Sequence, residues 1–155
     1  MPEKRLVTPQ DIGLATTKGI NNPTVRTTSS ATPVMAGYGV ATTPVTFTPR
    51  KTGIIEVHCT YQVSNSTNND GVQIQMAWGI GTAPSTGAAA TGTPIGSQFK
   101  MISSSVNAYE TGSVTDIITN ATVNTQIWLD IQFAVVTGGT ASLGPATWII
   151  RELIS

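Results

Sequence analysis

Apolar and polar side chains alternate along several stretches of the chain, which is the pattern of a β-strand with one buried face. The clearest stretch is residues 54–64, where Ile55, Val57, Cys59, Tyr61 and Val63 fall on one side and Glu56, His58, Thr60 and Gln62 on the other. The alternation resumes over residues 72–80, after a polar segment that ends in Asn-Asp-Gly. Because that tripeptide suits a turn, we predict that the two strands form an antiparallel hairpin around which the rest of the chain is organised.

Shorter alternating stretches predict further strands on both sides of this hairpin. They lie at residues 32–36, 38–41, 45–48, 95–106, 113–119, 126–136 and 146–154. In the last stretch both faces are partly apolar, so we expect its own sheet to cover one face and another subunit or a loop to cover the other. No stretch has a helical period with caps. The sequence therefore predicts an all-β domain of about eight to ten strands.

Residues 1–31 lack a sustained alternation and contain only scattered apolar residues among Thr, Pro, Asn and Gly. Two interpretations are open: a frayed terminus, or an extended arm that becomes ordered on a partner. At ~3.3 Å per residue such an arm would span about 100 Å. We predict an arm at residues 1–31 and one folded domain at residues 32–155.

The low charge of the chain limits the classes of partner that we expect it to bind. Only 10% of the residues are charged and the formal net charge is zero, against roughly 25% in average soluble proteins. Such a surface lacks the positive field that attracts nucleic acid, whereas weak repulsion between copies suits an assembly. The N-terminus has no apolar signal-peptide core and no run approaches 18 apolar residues, so we expect no membrane partner.

The residue types that carry chemistry are few and scattered. Cys59 and His58 are neighbours on a strand, so they point to opposite faces and do not form a nucleophilic pair within one subunit. Glu56 and His58 share a face, which we interpret as a solvated surface, and we expect Asp130 to pair with Arg151 across two strands. The loop at residues 81–93 has no charge, aromatic residue or metal ligand. We therefore predict no enzyme activity, no cofactor and no metal site.

Two segments resemble a known family. Phe47-Thr48-Pro49, followed by Gly53 and the strand at residues 54–57, is similar to the F-x-P…G-x-Y-x-F opening of the TNF/C1q-like jelly rolls. Residues 124–129 (NTQIWL) resemble the G-D-x-V-W-L strand of the same superfamily. The likeness covers residues 45–154. Ile55 and Val57 stand where aromatic residues are usual, and Asn-Thr replaces Gly-Asp, which argues against a secreted cytokine-like branch.

This resemblance implies a two-sheet antiparallel jelly-roll sandwich that forms homotrimers. Trp128, Trp148 and Ile149 are the residues that we expect at the trimer interface. Thr/Gly/Ala-rich domains of this size with an N-terminal arm also resemble bacteriophage virion proteins. The expected function is a capsid decoration (cement) protein on the outer surface of a virion, made in the host cytoplasm. Its partner would be the major capsid protein, which the arm contacts through Arg5, Leu6, Ile12, Leu14, Lys18 and Ile20.

The alternative is a receptor- or glycan-binding knob of a phage head or tail fibre. In that case the loops at residues 65–70 and 81–93 would bind the ligand, and residues 1–31 would be an attachment peptide. Sugar sites usually present aromatic rings, and Tyr38 and Tyr109 are the candidates.

Overall fold

The computed structural model describes residues 17–154, with Thr17 described by its backbone alone. These residues form ten strands and one short 3₁₀ turn. The strands are β1 (Thr17–Asn22), β2 (Arg26–Thr28), β3 (Val34–Met35), β4 (Thr46–Phe47), β5 (Ile55–Asn65), β6 (Gly71–Ile80), β7 (Thr93–Ile102), β8 (Glu110–Ile118), β9 (Ile127–Val135) and β10 (Ala141–Glu152). The 3₁₀ turn, at Tyr38–Val40, lies where the sequence predicts a strand.

The strands form two antiparallel sheets. The first sheet has the order β1-β10-β5-β8, with β2 also paired to β10. The second sheet has the order β3-β9-β6-β7, with β4 also paired to β9. In each sheet one of the two last strands lies between an early strand and a middle strand, which is the order of a jelly roll. The predicted fold class, a two-sheet antiparallel jelly-roll sandwich, is therefore confirmed.

The predicted hairpin between the two organising strands is wrong. β5 pairs with β8 and β10 in the first sheet, whereas β6 pairs with β7 and β9 in the second. The connection at residues 66–70 crosses from one sheet to the other. The two strands face each other across the core, and this arrangement requires the same alternation as two strands that pair edge to edge.

The core lies between the sheets and is built from the alternating inward positions of the long strands. Trp148, Tyr38, Tyr61, Phe133 and Leu143 are among its largest fully buried side chains. Tyr38 and Trp148 meet edge to face, with ring centroids 5.9 Å apart, a favourable aromatic geometry. Trp148 is thus a core residue, and its predicted place at a trimer interface is wrong because no part of it reaches the surface.

The predicted boundary between arm and domain is also wrong within the described residues. β1 pairs with β10 from Thr17 to Asn22, and β2 continues along the same edge of β10. Ile20 is opposite Trp148 and is buried in the core. Lys18 donates a hydrogen bond to the carbonyl oxygen of Thr46 at 2.7 Å, which ties β1 to the second sheet. Lys18 and Ile20 therefore belong to the sandwich.

The physical reason is that β1 is an edge strand. Its sequence, TKGINN, supplies one apolar side chain to the core, so the strand has no alternation of its own to detect. β10 supplies the hydrogen-bonding template, and a template of this kind organises sequences of weak intrinsic preference. The remaining predicted arm contacts, Arg5, Leu6, Ile12 and Leu14, lie outside the described residues.

Candidate interaction surfaces

The two sheets differ in what covers their outer faces. Along β10 and β8 of the first sheet, buried or half-buried residues alternate with exposed residues. Along β9 of the second sheet, eight of the nine residues are buried. The first sheet therefore has one face in solvent, whereas strand β9 of the second sheet is covered on both faces. The edge strand β7 of the second sheet is mostly exposed.

We call the outer surface of the first sheet the open face. The strand register places its members in rows across β1, β10, β5 and β8. They are Gly19, Asn21, Thr147, Ile149, Arg151, Glu56, His58, Thr60, Gln62, Thr111, Ser113, Thr115 and Ile117. Most carry hydroxyl, amide or aliphatic groups, so the open face is nearly neutral.

The ionisable groups of the open face are satisfied within it. Arg151 Nη2 lies 2.6 Å from Glu56 Oε1, so these two charges compensate each other. The ring of His58 is held between two hydroxyls, with Nδ1 2.7 Å from Thr115 Oγ1 and Nε2 3.2 Å from Thr60 Oγ1. Glu56 and His58 therefore form part of a polar sheet surface. The predicted pair of Asp130 with Arg151 is wrong, because the two residues lie in different sheets.

Two isoleucines interrupt the polar character of the open face. Ile149 is 44% exposed and Ile117 is 46% exposed. Ile149 is opposite Gly19 on β1, and a Cβ added to Gly19 would have no atom within 4 Å. Because β1 offers no side chain at this position, one flank of Ile149 is left uncovered. Of the three residues predicted for a trimer interface, Ile149 is the one that is exposed.

Two segments cover the outer face of the second sheet. The loop at residues 81–93 folds back over it: Met35 N–H donates to the Ala88 carbonyl at 2.8 Å, and Gln132 Nε2 donates to the Thr91 carbonyl at 2.9 Å. Trp128 lies beneath this cover and is 5% exposed. A Cβ on Gly92, where φ is +89°, would lie 2.5 Å from the Trp128 ring. The structure thus places Trp128 within its own subunit and out of reach of a partner.

Asp130 fixes the second covering segment, at residues 36–45. It is fully buried, and its carboxylate accepts hydrogen bonds from the backbone N–H groups of Gly37 (2.9 Å), Tyr38 (3.1 Å) and Ile131 (2.8 Å). Burial raises the pKa of Asp130 to about 7, although the three N–H donors act in the opposite direction. The carboxyl group therefore has a structural role.

This raised pKa predicts a specific pH dependence of stability. The folded-state pKa of Asp130, about 7, lies above the ordinary value of 3.8, so the folded state holds this proton more tightly than the unfolded state does. The contribution is complete below the ordinary pKa and is lost as the pH rises through the folded-state pKa. We expect wild-type protein to lose unfolding free energy relative to Asp130→Asn between about pH 4 and pH 7. Urea unfolding across this range measures the difference, and a constant difference would contradict the assignment.

Buried polar side chains also join the loops at the opposite end of the sandwich from Thr17. Asn65 donates from Nδ2 to the carbonyl oxygens of Gly71 and Gly138, at 3.0 and 3.1 Å. Asp70 accepts from the N–H groups of Gly71 and Gly138, each at 2.6 Å. Burial tends to raise the pKa of Asp70, but the hydrogen bonds outweigh it and the pKa lies below its ordinary value. These contacts hold residues 65–71 and 137–141 together.

The described residues contain no group of three His, Cys, Asp or Glu side chains placed to hold a metal ion. Cys59 is fully buried as predicted, and burial raises the pKa of its thiol. Within residues 17–154 no helix is long and apolar enough to cross a membrane.

The four buried polar residues that organise the loops and covers were largely missed by the sequence interpretation. They are Asn65, Asp70, Asp130 and Glu152. A signal was available for two of them, since Asp130 and Glu152 interrupt otherwise apolar strands. A carboxylate at such a position requires backbone or cationic partners. The partners are supplied by distant segments, so the sequence does not identify them.

The fold and its surfaces define a jelly-roll domain in which the first sheet has an open face and strand β9 of the second sheet is covered on both faces. No family model matches the chain, and no curated protein matches it either.

Proposed function

We propose that this chain is a virion structural protein, a homotrimeric capsid decoration (cement) protein that contacts neighbouring capsid subunits through its N-terminal segment. The observation that carries the proposal is the open face. A broad, nearly neutral sheet surface with two exposed isoleucines offers a contact at a small electrostatic cost. In a three-fold ring it would meet a different patch of the neighbouring copy. The outer face of the second sheet is covered along β9 by its own chain, and we therefore assign the contact between copies to the open face.

The segment that would contact the shell is shorter than the sequence alone predicts. Residues 17–28 pair with β10, which leaves residues 1–16 for the capsid partner. At ~3.3 Å per residue these would reach about 50 Å. Leu6, Ile12 and Leu14 would supply apolar contacts, and Arg5 a charged one. Ordering each residue costs about 1 kcal/mol or more, and three linked segments offset this cost because the second and third bind at high effective concentration.

The decisive experiment compares the full chain with a version that begins at Thr17. Both forms should be trimers, because the trimer contact lies on the sandwich. The native mass should be about 48 kDa for the full chain, three copies of 16.1 kDa, and roughly a tenth less for the version that lacks 16 of the 155 residues. Co-sedimentation with undecorated capsids of the phage that encodes the chain should require residues 1–16. A monomer in both forms would remove the three-fold argument, and capsid binding by the shortened chain would remove the proposed role of the arm.

A substitution at Ile149 tests the open face directly. We expect Ile149→Asp to reduce the native mass from about 48 kDa to that of one 16.1 kDa chain, because a buried unpaired carboxylate would be placed in the contact. Val40→Asp is the matched control, since Val40 is 50% exposed on the 3₁₀ turn and lies outside the open face. Light scattering after gel filtration measures both. A trimer that persists in Ile149→Asp would exclude the open face as the contact.

A further inference from the structure

Tyr109 is an exposed aromatic ring at the loop end of the sandwich. It is 51% exposed and directly precedes β8. Of the aromatic residues, all of which lie in the described range, the other eight are buried or half-buried. Tyr38, the other tyrosine considered for sugar binding, is fully buried.

The Tyr109 ring rests on a backbone that is held from within the core. A Cβ added to Gly144 would lie 3.4 Å from Tyr109 Cε1 and 3.2 Å from Gln62 Cβ. The ring and the Gln62 side chain therefore both pack closely over Gly144. The carbonyl oxygen of Gly144 accepts a hydrogen bond from the Tyr38 hydroxyl at 3.2 Å. This support limits the movement of the ring before any ligand arrives, which is the condition for binding at a small entropic cost.

The loop that carries Tyr109 is organised by a buried serine. Ser103 is 2% exposed, and its Oγ lies 2.8 Å from the Ser105 carbonyl and 2.9 Å from the Ala108 carbonyl, either of which can accept its proton. Asn107 N–H donates to the Asn65 carbonyl at 2.8 Å. The loop is thus joined to residues 65–71, which Asn65 and Asp70 hold in place.

The chemistry around the ring is polar and almost free of charge. The loops at residues 65–70, 103–109 and 137–140 contain no Lys or Arg, so this surface does not suit an anionic ligand. Gln62 and Asn107 present exposed amides. The Glu110 carboxylate is half-buried and accepts from Ser104 Oγ at 3.2 Å. Glu110 therefore points away from the open face, whereas the amide of Gln62, which packs over Gly144 with the ring, offers both a donor and an acceptor.

We propose that Tyr109 and Gln62, with Asn107 of the same loop, form a binding site for a neutral carbohydrate. A pyranose ring has an apolar C–H face that stacks on Tyr109, and hydroxyls that exchange hydrogen bonds with the amides. The site lies at the end of β8 that is distant from Thr17. Gln62 belongs to the open face, four residues along β5 from His58, which is opposite Ile149, so the site adjoins the proposed contact between copies. It is an activity additional to the proposed capsid role, and a single subunit contains all of its residues.

The test uses the full chain with glucose, galactose, mannose and N-acetylglucosamine, each at up to about 20 mM, which reveals dissociation constants in the millimolar range. Saturation-transfer NMR reports contact with each sugar, and an array of neutral oligosaccharides extends the search. We expect transfer to the ring protons of at least one sugar. Tyr109→Ala should weaken its binding by about tenfold or more, while Tyr109→Phe, which keeps the stacking face, should retain most of it.

Ile117→Ala is the control variant, because Ile117 is an exposed apolar residue of the same strand at its other end, and it should bind as wild type. If Tyr109→Ala does not fold, Gln62→Ala is the decisive variant, and we expect it to weaken sugar binding by the same factor. Absence of binding to every sugar and to the array would overturn the proposal, as would equal binding by wild type and the decisive variant. A monomeric chain that binds sugar would reject the trimer and leave this site standing.

Discussion

Replacement of Glu152 by glutamine is expected to lower the free energy of unfolding by about 3 kcal/mol. Glu152 is 1% exposed at the end of β10. Its carboxylate accepts hydrogen bonds from four consecutive backbone N–H groups, those of residues 50–53, at 2.6 to 3.1 Å. An amide would direct its own donors at these N–H groups and leave part of the set unsatisfied, and a buried polar group without a partner is costly. Urea unfolding near neutral pH measures the loss.

The pH dependence of this loss distinguishes the carboxylate from a general effect of shape. Burial tends to raise the pKa of Glu152, but the four N–H donors outweigh it and lower the pKa from its ordinary 4.5 to about 2. The stabilisation is therefore present above pH 4.5 and disappears as the pH falls through the folded-state pKa. The difference between wild type and Glu152→Gln should shrink below about pH 4.5. This is the opposite direction to that expected for Asp130.

Glu56→Gln is the matched control for Glu152→Gln. Glu56 contacts Arg151 at 2.6 Å on the open face, where a solvent-exposed ion pair contributes at most about 1 kcal/mol. Equal losses in the two variants would show that the N–H cluster adds nothing beyond an ordinary surface charge.

Replacement of Trp148 by alanine is expected to lower the free energy of unfolding by about 4 kcal/mol. The side chain is fully buried between the sheets and packs edge to face on Tyr38, so its removal leaves a cavity that the rigid sandwich fills poorly. The whole free energy of unfolding of a domain of this size is about 5–15 kcal/mol, so this one substitution would remove a large share of it. Denaturant unfolding measures the change.

Two further variants test whether the effect of Trp148→Ala comes from the loss of a buried side chain. Trp148→Phe should cost much less than alanine, because the buried indole Nε1 has no hydrogen-bond partner to lose and the phenyl ring fills most of the space. Ile149→Ala, one residue along β10 but 44% exposed, should change the unfolding free energy of the subunit by less than about 1 kcal/mol. A larger effect at Ile149 than at Trp148 would contradict the assignment of their faces.

The alternation along β5 determined which of its side chains are buried. The inward residues of β5, from Ile55 to Val63, are buried, and His58 lies on the other face as predicted. Burial of a period-two pattern is a local consequence of strand geometry, and the all-β class follows from several such strands. The existence of the long strands and the buried face of β5 were therefore available from the sequence, whereas β1 and the buried face of β10 were not.

The sequence did not predict to which of the two sheets each strand belongs. β5 and β6 carry matching patterns and a turn-forming connection, yet they lie in opposite sheets. Pairing within a sheet and packing across a core demand the same alternation, so only long-range contacts separate the two arrangements. The same reason explains β1, whose place in the first sheet is set by β10.

The open face and the surroundings of Tyr109 also required the tertiary structure. Trp128 and Ile149 are both apolar residues in strands, but segments distant in sequence cover Trp128 and leave Ile149 in solvent. Glu152 and Asp130 are isolated carboxylates in the sequence, and they accept hydrogen bonds from backbone N–H groups about a hundred residues away. The sequence by itself determined the long strands and the inward face of β5 because these depend on neighbours along the chain. Only the tertiary structure decided which outer faces remain free, because covering a face depends on segments that the local pattern does not connect.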